Sequence, residues 1–91
     1  MAKPGFLVSF AGVGAQQVPV PRVRDFAEDL QHEVERHAWG TVENPDTAID
    51  MVEVTAATSR ALGNVAGAIK RSLRRLRLLD SAIVTRRAPR T

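Results

Sequence analysis

Apolar and polar positions follow two different rhythms along the chain. Between Pro21 and Ala38, the residues Val23, Phe26, Ala27, Leu30, Val34 and His37 recur at spacings of three and four with charged residues between them. That is one buried face of a helix. Proline is tolerated at a helix start because its missing N–H has no partner there, so Pro19 and Pro21 place the beginning near Pro21. The same period returns in Leu62, Val65, Ala66, Ile69, Leu73 and Leu76, after Thr58 or Ser59 as a cap, and predicts a second helix to about Leu78.

The remaining segments read as extended. Residues 6–13, Phe-Leu-Val-Ser-Phe-Ala-Gly-Val, are apolar on both parities and stop at Gly12 and Gly14. Trp39–Glu43 is a short strand before the turn Asn44-Pro45-Asp46-Thr47, where the residue before proline is disfavoured in helix. Ile49–Ala56 then alternates, with Val52, Val54 and Ala56 on one side and Met51, Glu53 and Thr55 on the other, as in a half-buried strand. Ser81–Arg87 is the last strand. The order β-α-β-β-α-β predicts an α+β fold, a ferredoxin-like two-layer sandwich with a four-stranded antiparallel sheet and two helices on one face. Strands 1 and 3 are expected in the centre. A single domain spans 1–87, followed by a short basic tail at 88–91.

Composition agrees with one folded module. The chain has 91 residues, 44% hydrophobic and 25% charged, which is globular rather than disordered. It contains no cysteine, so disulfides, thiolate metal sites and cysteine nucleophiles are excluded. No run approaches the ~20 apolar residues of a membrane span, and the reading is a cytoplasmic protein without membrane contact. The net charge of +3 is unevenly spread. Residues 70–91 hold eight bases and one acid, whereas residues 1–69 hold five bases and nine acids.

That asymmetry supplies one candidate surface. Lys70, Arg71, Arg74, Arg75 and Arg77 fall on the side of helix 2 opposite its apolar residues. With Arg86 and Arg87 they form a candidate polyanion site, nucleic acid being the possible ligand. Helix 1 carries Asp25, Glu28, Asp29, Glu33 and Glu35, so part of this charge is expected in cross-helix ion pairs. Aromatic residues for base stacking are scarce, three Phe, one Trp and no Tyr. A second candidate surface is the sheet face that the helices leave bare. Phe6, Leu7, Phe10, Trp39, Met51 and Ile83 are its candidate interface residues, although core packing is the preferred expectation for the phenylalanines. Gly63 and Gly67 on the outer side of helix 2 mark either close approach of a partner or a tolerated cost.

Catalytic constellations are not evident. His32 and His37 are five apart and no metal or cofactor set accompanies them; His37, on the apolar face, is expected to be a packed imidazole. Ser9, Ser59, Ser72 and Ser81 lack a nucleophile-elbow context. The loop Gly12-Val13-Gly14-Ala15-Gln16 after strand 1 resembles the Gly-Val-Gly-Phe-Arg type loop of acylphosphatases. Val42-Glu43-Asn44, followed by Asp46 and Val52-Glu53-Val54, resembles that family's strand–Asn–turn–strand segment. The resemblance implies a ferredoxin-like fold and gives Asn44 the part of orienting an attacking water. The position of the family's phosphate-holding arginine is Gln16 here, which removes the cation such catalysis needs. The leading expectation is therefore a non-catalytic domain acting through protein–protein association, as a homodimer or an accessory subunit. A polyanion-binding module is the alternative, and a degenerate acylphosphatase-like hydrolase the weaker one.

Overall fold

The computed structural model describes residues 3–10, 18–43 and 50–87. Four strands and two helices follow in the expected order: β1 Gly5–Ser9, α1 Val20–Arg36, β2 Gly40–Glu43, β3 Met51–Ala56, α2 Leu62–Arg75 and β4 Ile83–Arg87. Single turns of 3-10 helix at Ser59–Ala61 and Leu79–Ser81 flank α2. The strands pair antiparallel throughout in the order β2-β3-β1-β4, so β1 and β3 are central. The result is an α+β two-layer arrangement compatible with the ferredoxin-like class. Among the described residues no helix is long and apolar enough to cross a membrane.

Register determines which side chains meet the helices. Val54 of β3 lies between Val42 of β2 and Phe6 of β1, and Val52 is opposite Val8. Paired residues point to the same side of an antiparallel sheet. The core is therefore Val8, Phe10, Val52, Val54 and Ala56 from the sheet against Val23, Phe26, Leu30 and Val34 of α1 and Val65, Ala68, Ile69 and Leu73 of α2, all buried. Phe10 meets Phe26 edge-on, with ring centroids 5.6 Å apart at 78°.

Both helices stop in the same way. Ala38 and Arg77 adopt left-handed backbone (φ 56° and 58°) just beyond the helical residues. The Trp39 N–H donates to the Val34 carbonyl at 2.9 Å and the Leu78 N–H to the Leu73 carbonyl at 2.8 Å. This closing bond absorbs carbonyls that the helix end leaves without partners, and it turns the following residue back onto the core. Leu78 is accordingly 4% exposed, and Trp39 packs half-buried against the same core. The Thr58 side chain accepts from the Ala61 N–H at 3.2 Å ahead of α2, a capping bond.

The helix ends correct two expectations. α1 ends at Arg36, so His37 leaves the helical wheel that put it on the apolar face. It is exposed and stacks on Trp39, with centroids 4.2 Å apart and planes 16° apart. Helix 2 ends at Arg75 rather than near Leu78, because Arg77 reverses the backbone. The segments 11–13, 44–49 and 88–91, which bear on strand 1, the turn and the tail, lie outside the described residues.

Candidate functional site

Register also assigns the bare face of the sheet. Across it run three rows: Thr41, Thr55, Gly5 and Arg87; Glu43, Glu53, Leu7 and Thr85; then Met51, Ser9 and Ile83. Most of these are polar, and Arg87 Nη1 reaches Glu53 Oε2 at 3.0 Å across the sheet. The expectation of a broadly apolar face is therefore corrected to an apolar corner formed by Leu7, Met51 and Ile83. Phe6 and Phe10 share the parity of Val8 and face the helices, and Phe10 is 2% exposed. Trp39 is held against the core by the helix-ending turn. These three aromatic side chains do not belong to the corner, because β1 buries one parity and the reversal after α1 buries Trp39.

Exposed apolar surface instead collects at the β4 edge. Among the described residues the large exposed hydrophobic side chains are Leu79 (40%), Ile83 (50%) and Val84 (44%). Ile83 is on the bare side, opposite Ser9, while Val84 is opposite Val8 and points to the helix side. That Val84 remains open means that the helix layer does not cover β4. The Arg86 side chain shares the helix side and is also exposed.

The backbone of this edge can be assigned from its neighbours. The Phe10 N–H donates to the Asp50 carbonyl and the Ala56 N–H to the Pro4 carbonyl, both at 2.9 Å, so even-numbered residues at β1 exchange hydrogen bonds toward β3. Hydrogen-bonding direction alternates along a strand. Gly5, Leu7 and Ser9 therefore turn toward β4, where Arg87, Thr85 and Ile83 answer them. The N–H and C=O of Val84 and Arg86 consequently point away from β1, out of the sheet edge. An edge strand with outward backbone groups and apolar side chains on both faces is a template for pairing with another strand.

The proposed cation set divides in the structure. Arg71 Nε donates to Glu33 Oε2 at 3.1 Å, and Arg71 Nη2 makes a shorter contact to the same oxygen. Arg75 Nη2 reaches Asp29 Oδ2 at 2.7 Å and Glu33 Oε1 at 3.3 Å. The buried Ser72 hydroxyl donates to Asp29 at 2.6 Å, and Arg22 donates to the Leu76 carbonyl at the end of α2. These contacts clasp two antiparallel helices together. Arg71, Arg75 and Arg87 are thus engaged within the chain, while Lys70, Arg74, Arg77 and Arg86 are exposed and in none of these ion pairs.

The clasp tunes its carboxylates. Hydrogen bonds from Arg71, against the opposing effect of burial, and from Arg75 hold the Glu33 carboxyl below its ordinary range. Partial burial raises the Asp29 carboxyl, but the bonds from Arg75 and Ser72 outweigh it and leave that group lowered as well. Arg75 is raised, chiefly by its bond to Asp29. A lowered carboxylate bound to arginine is a structural ion and a poor proton acceptor, which argues for a packing role.

Gly63 has open space where a Cβ would stand, and a Cβ on Gly67 would meet only the tip of Arg71 at 3.2 Å. Among the described residues, no backbone of another element approaches either glycine. Among the described residues no group of three or more potential metal ligands is present. The loop Gly12–Gln16 and residues Asn44 and Asp46, which carry the acylphosphatase resemblance, lie outside the described residues. Compared with protein-family models, curated proteins and solved structures, the chain matches none.

Sequence reasoning named Ile83 but missed Leu79 and Val84. The available signal was Ala82-Ile83-Val84-Thr85, whose apolar and β-branched character occupies both parities of a terminal strand. It also missed Ser72 as the buried hydroxyl that anchors Asp29.

Proposed function

We propose that this protein is a non-catalytic association domain that docks through its β4 edge by strand addition. The observation supporting the reading most strongly is the coincidence at Val84 of outward backbone groups with a side chain 44% exposed. Ile83 extends the apolar surface onto the bare face toward Leu7 and Met51, so an incoming strand gains both hydrogen bonds and side-chain burial. Arg86 and Arg87 are the kind of charges that limit indiscriminate pairing of edge strands, which favours a specific partner over open-ended aggregation. The polyanion reading draws less support, since Arg71, Arg75 and Arg87 already have carboxylate partners.

The test is sedimentation velocity from micromolar to near-millimolar protein, comparing wild type with Val84→Glu. The wild type is expected to self-associate with concentration, and the variant to remain folded and monomeric. A Val84→Glu variant that associates as well as the wild type overturns docking through β4.

A further inference from the structure

We infer that the partner at β4 is a second copy of this chain, joined antiparallel about a two-fold axis through Val84 to give one continuous eight-stranded sheet. This inference rests on the strand-addition reading above and adds the partner and the register. A two-fold axis perpendicular to the sheet keeps each side chain on its own face, so some residue of the edge must lie opposite itself. The candidates are the residues of the strand.

Three observations select Val84. The first is backbone direction: alternation turns Ala82, Val84 and Arg86 outward, so an axis at Val84 opposes three hydrogen-bonding pairs within the extended segment, where one at Ile83 or Thr85 opposes two. The second is the extent of extended chain. With Val84 on the axis the ladder runs from residue 82 to residue 86, and Ala82 is already extended (φ −122°, ψ 142°). An axis at Ile83 would instead draw on the 3-10 turn Leu79–Ser81.

The third is charge. An axis at Thr85 would set Arg86 and the partner's Arg86 diagonally adjacent on one face, about 7–8 Å apart, where like charges repel. With the axis at Val84 each Arg86 lies opposite the partner's Ala82, and the two arginines stand four residues apart along the ladder. On the helix side Val84 covers the partner's Val84; on the bare side Ile83 faces the partner's Thr85, a β-branched pair suited to a pleated surface. The assembly closes on itself, because a two-fold contact uses the same edge from both copies.

The absence of cysteine makes the register directly readable. Opposed residues of an antiparallel pair are about 4.5–5.5 Å apart at Cα, within reach of a disulfide, whereas diagonal neighbours lie beyond it. Single variants Ile83→Cys, Val84→Cys and Thr85→Cys, each checked by circular dichroism, are oxidised with glutathione disulfide and resolved on a non-reducing gel. Val84→Cys is expected to become mostly covalent dimer, and the other two to remain mostly uncoupled when oxidised alone. An equal mixture of Ile83→Cys and Thr85→Cys should couple to each other. Coupling of Thr85→Cys alone, with Val84→Cys uncoupled, overturns the register while leaving association standing. If no variant couples and sedimentation gives a concentration-dependent dimer, the β4 two-fold is overturned; monomer throughout overturns the second copy as partner.

Discussion

At the scale of single residues, the described glycines include two kinds that the sequence writes identically. Gly5 and Gly40 sit in strands where an added Cβ would come within 2.2 Å of the Val54 carbonyl oxygen and 2.0 Å of the Thr55 carbonyl oxygen. Neighbouring backbone cannot yield as a side-chain tip can, so these positions require the missing Cβ. Gly63 faces open space in a helix, and there glycine only adds conformational entropy to the unfolded chain. Gly40→Ala should lose at least about 2 kcal/mol of stability through overpacking, while Gly63→Ala should gain about 0.5–1 kcal/mol from helix propensity. Urea unfolding midpoints check both. His37 and Trp39 show a similar limit of sequence reading: a helical wheel applies only inside the helix, and nothing in their identities announces the reversal at Ala38.

At the scale of elements, the α1–α2 clasp makes stability depend on acid. Glu33 and Asp29 have lowered carboxyl values in the folded protein, so the unfolded chain binds protons more readily. The stability they supply is complete above the ordinary carboxylate range near pH ~4 and is lost as pH falls through their lower folded-state values. Glu33→Gln should cost about 1 kcal/mol at neutral pH, a figure kept small because Arg71 and Arg75 are half-exposed. It should also flatten the fall in stability between neutral pH and about pH 3, as measured by urea midpoints at each pH. An unchanged slope would remove Glu33 from the account. The two helices and the alternation of β3 were legible because burial imposes period on sequence. The clasp was legible only as complementary charge, since which arginine meets which carboxylate depends on the rotation of both helices. β4 was read as a strand, but its edge position and outward backbone follow from pairing with β1 and cannot be read from five residues alone.

At the scale of the whole molecule, the two sheet edges differ. The β2 edge is four residues long and ends at Glu43, whereas the β4 edge carries Ile83 and Val84 and follows the exposed Leu79. The β2 edge is thus the shorter, without a large exposed hydrophobic residue among those described, and the β4 edge has the composition of a contact. The apolar surface belongs to this edge and one corner, not to the bare face as a whole, because Phe6 and Phe10 share the core parity of β1. Backbone amide hydrogen exchange at Val84 and Arg86 reads the central claim most directly, since their N–H groups point out of the isolated sheet. These two amides should exchange rapidly in dilute protein and become protected as concentration rises, while Thr85, already turned toward β1, stays protected throughout. Rapid exchange at Val84 and Arg86 at every concentration would contradict docking of a second copy through β4.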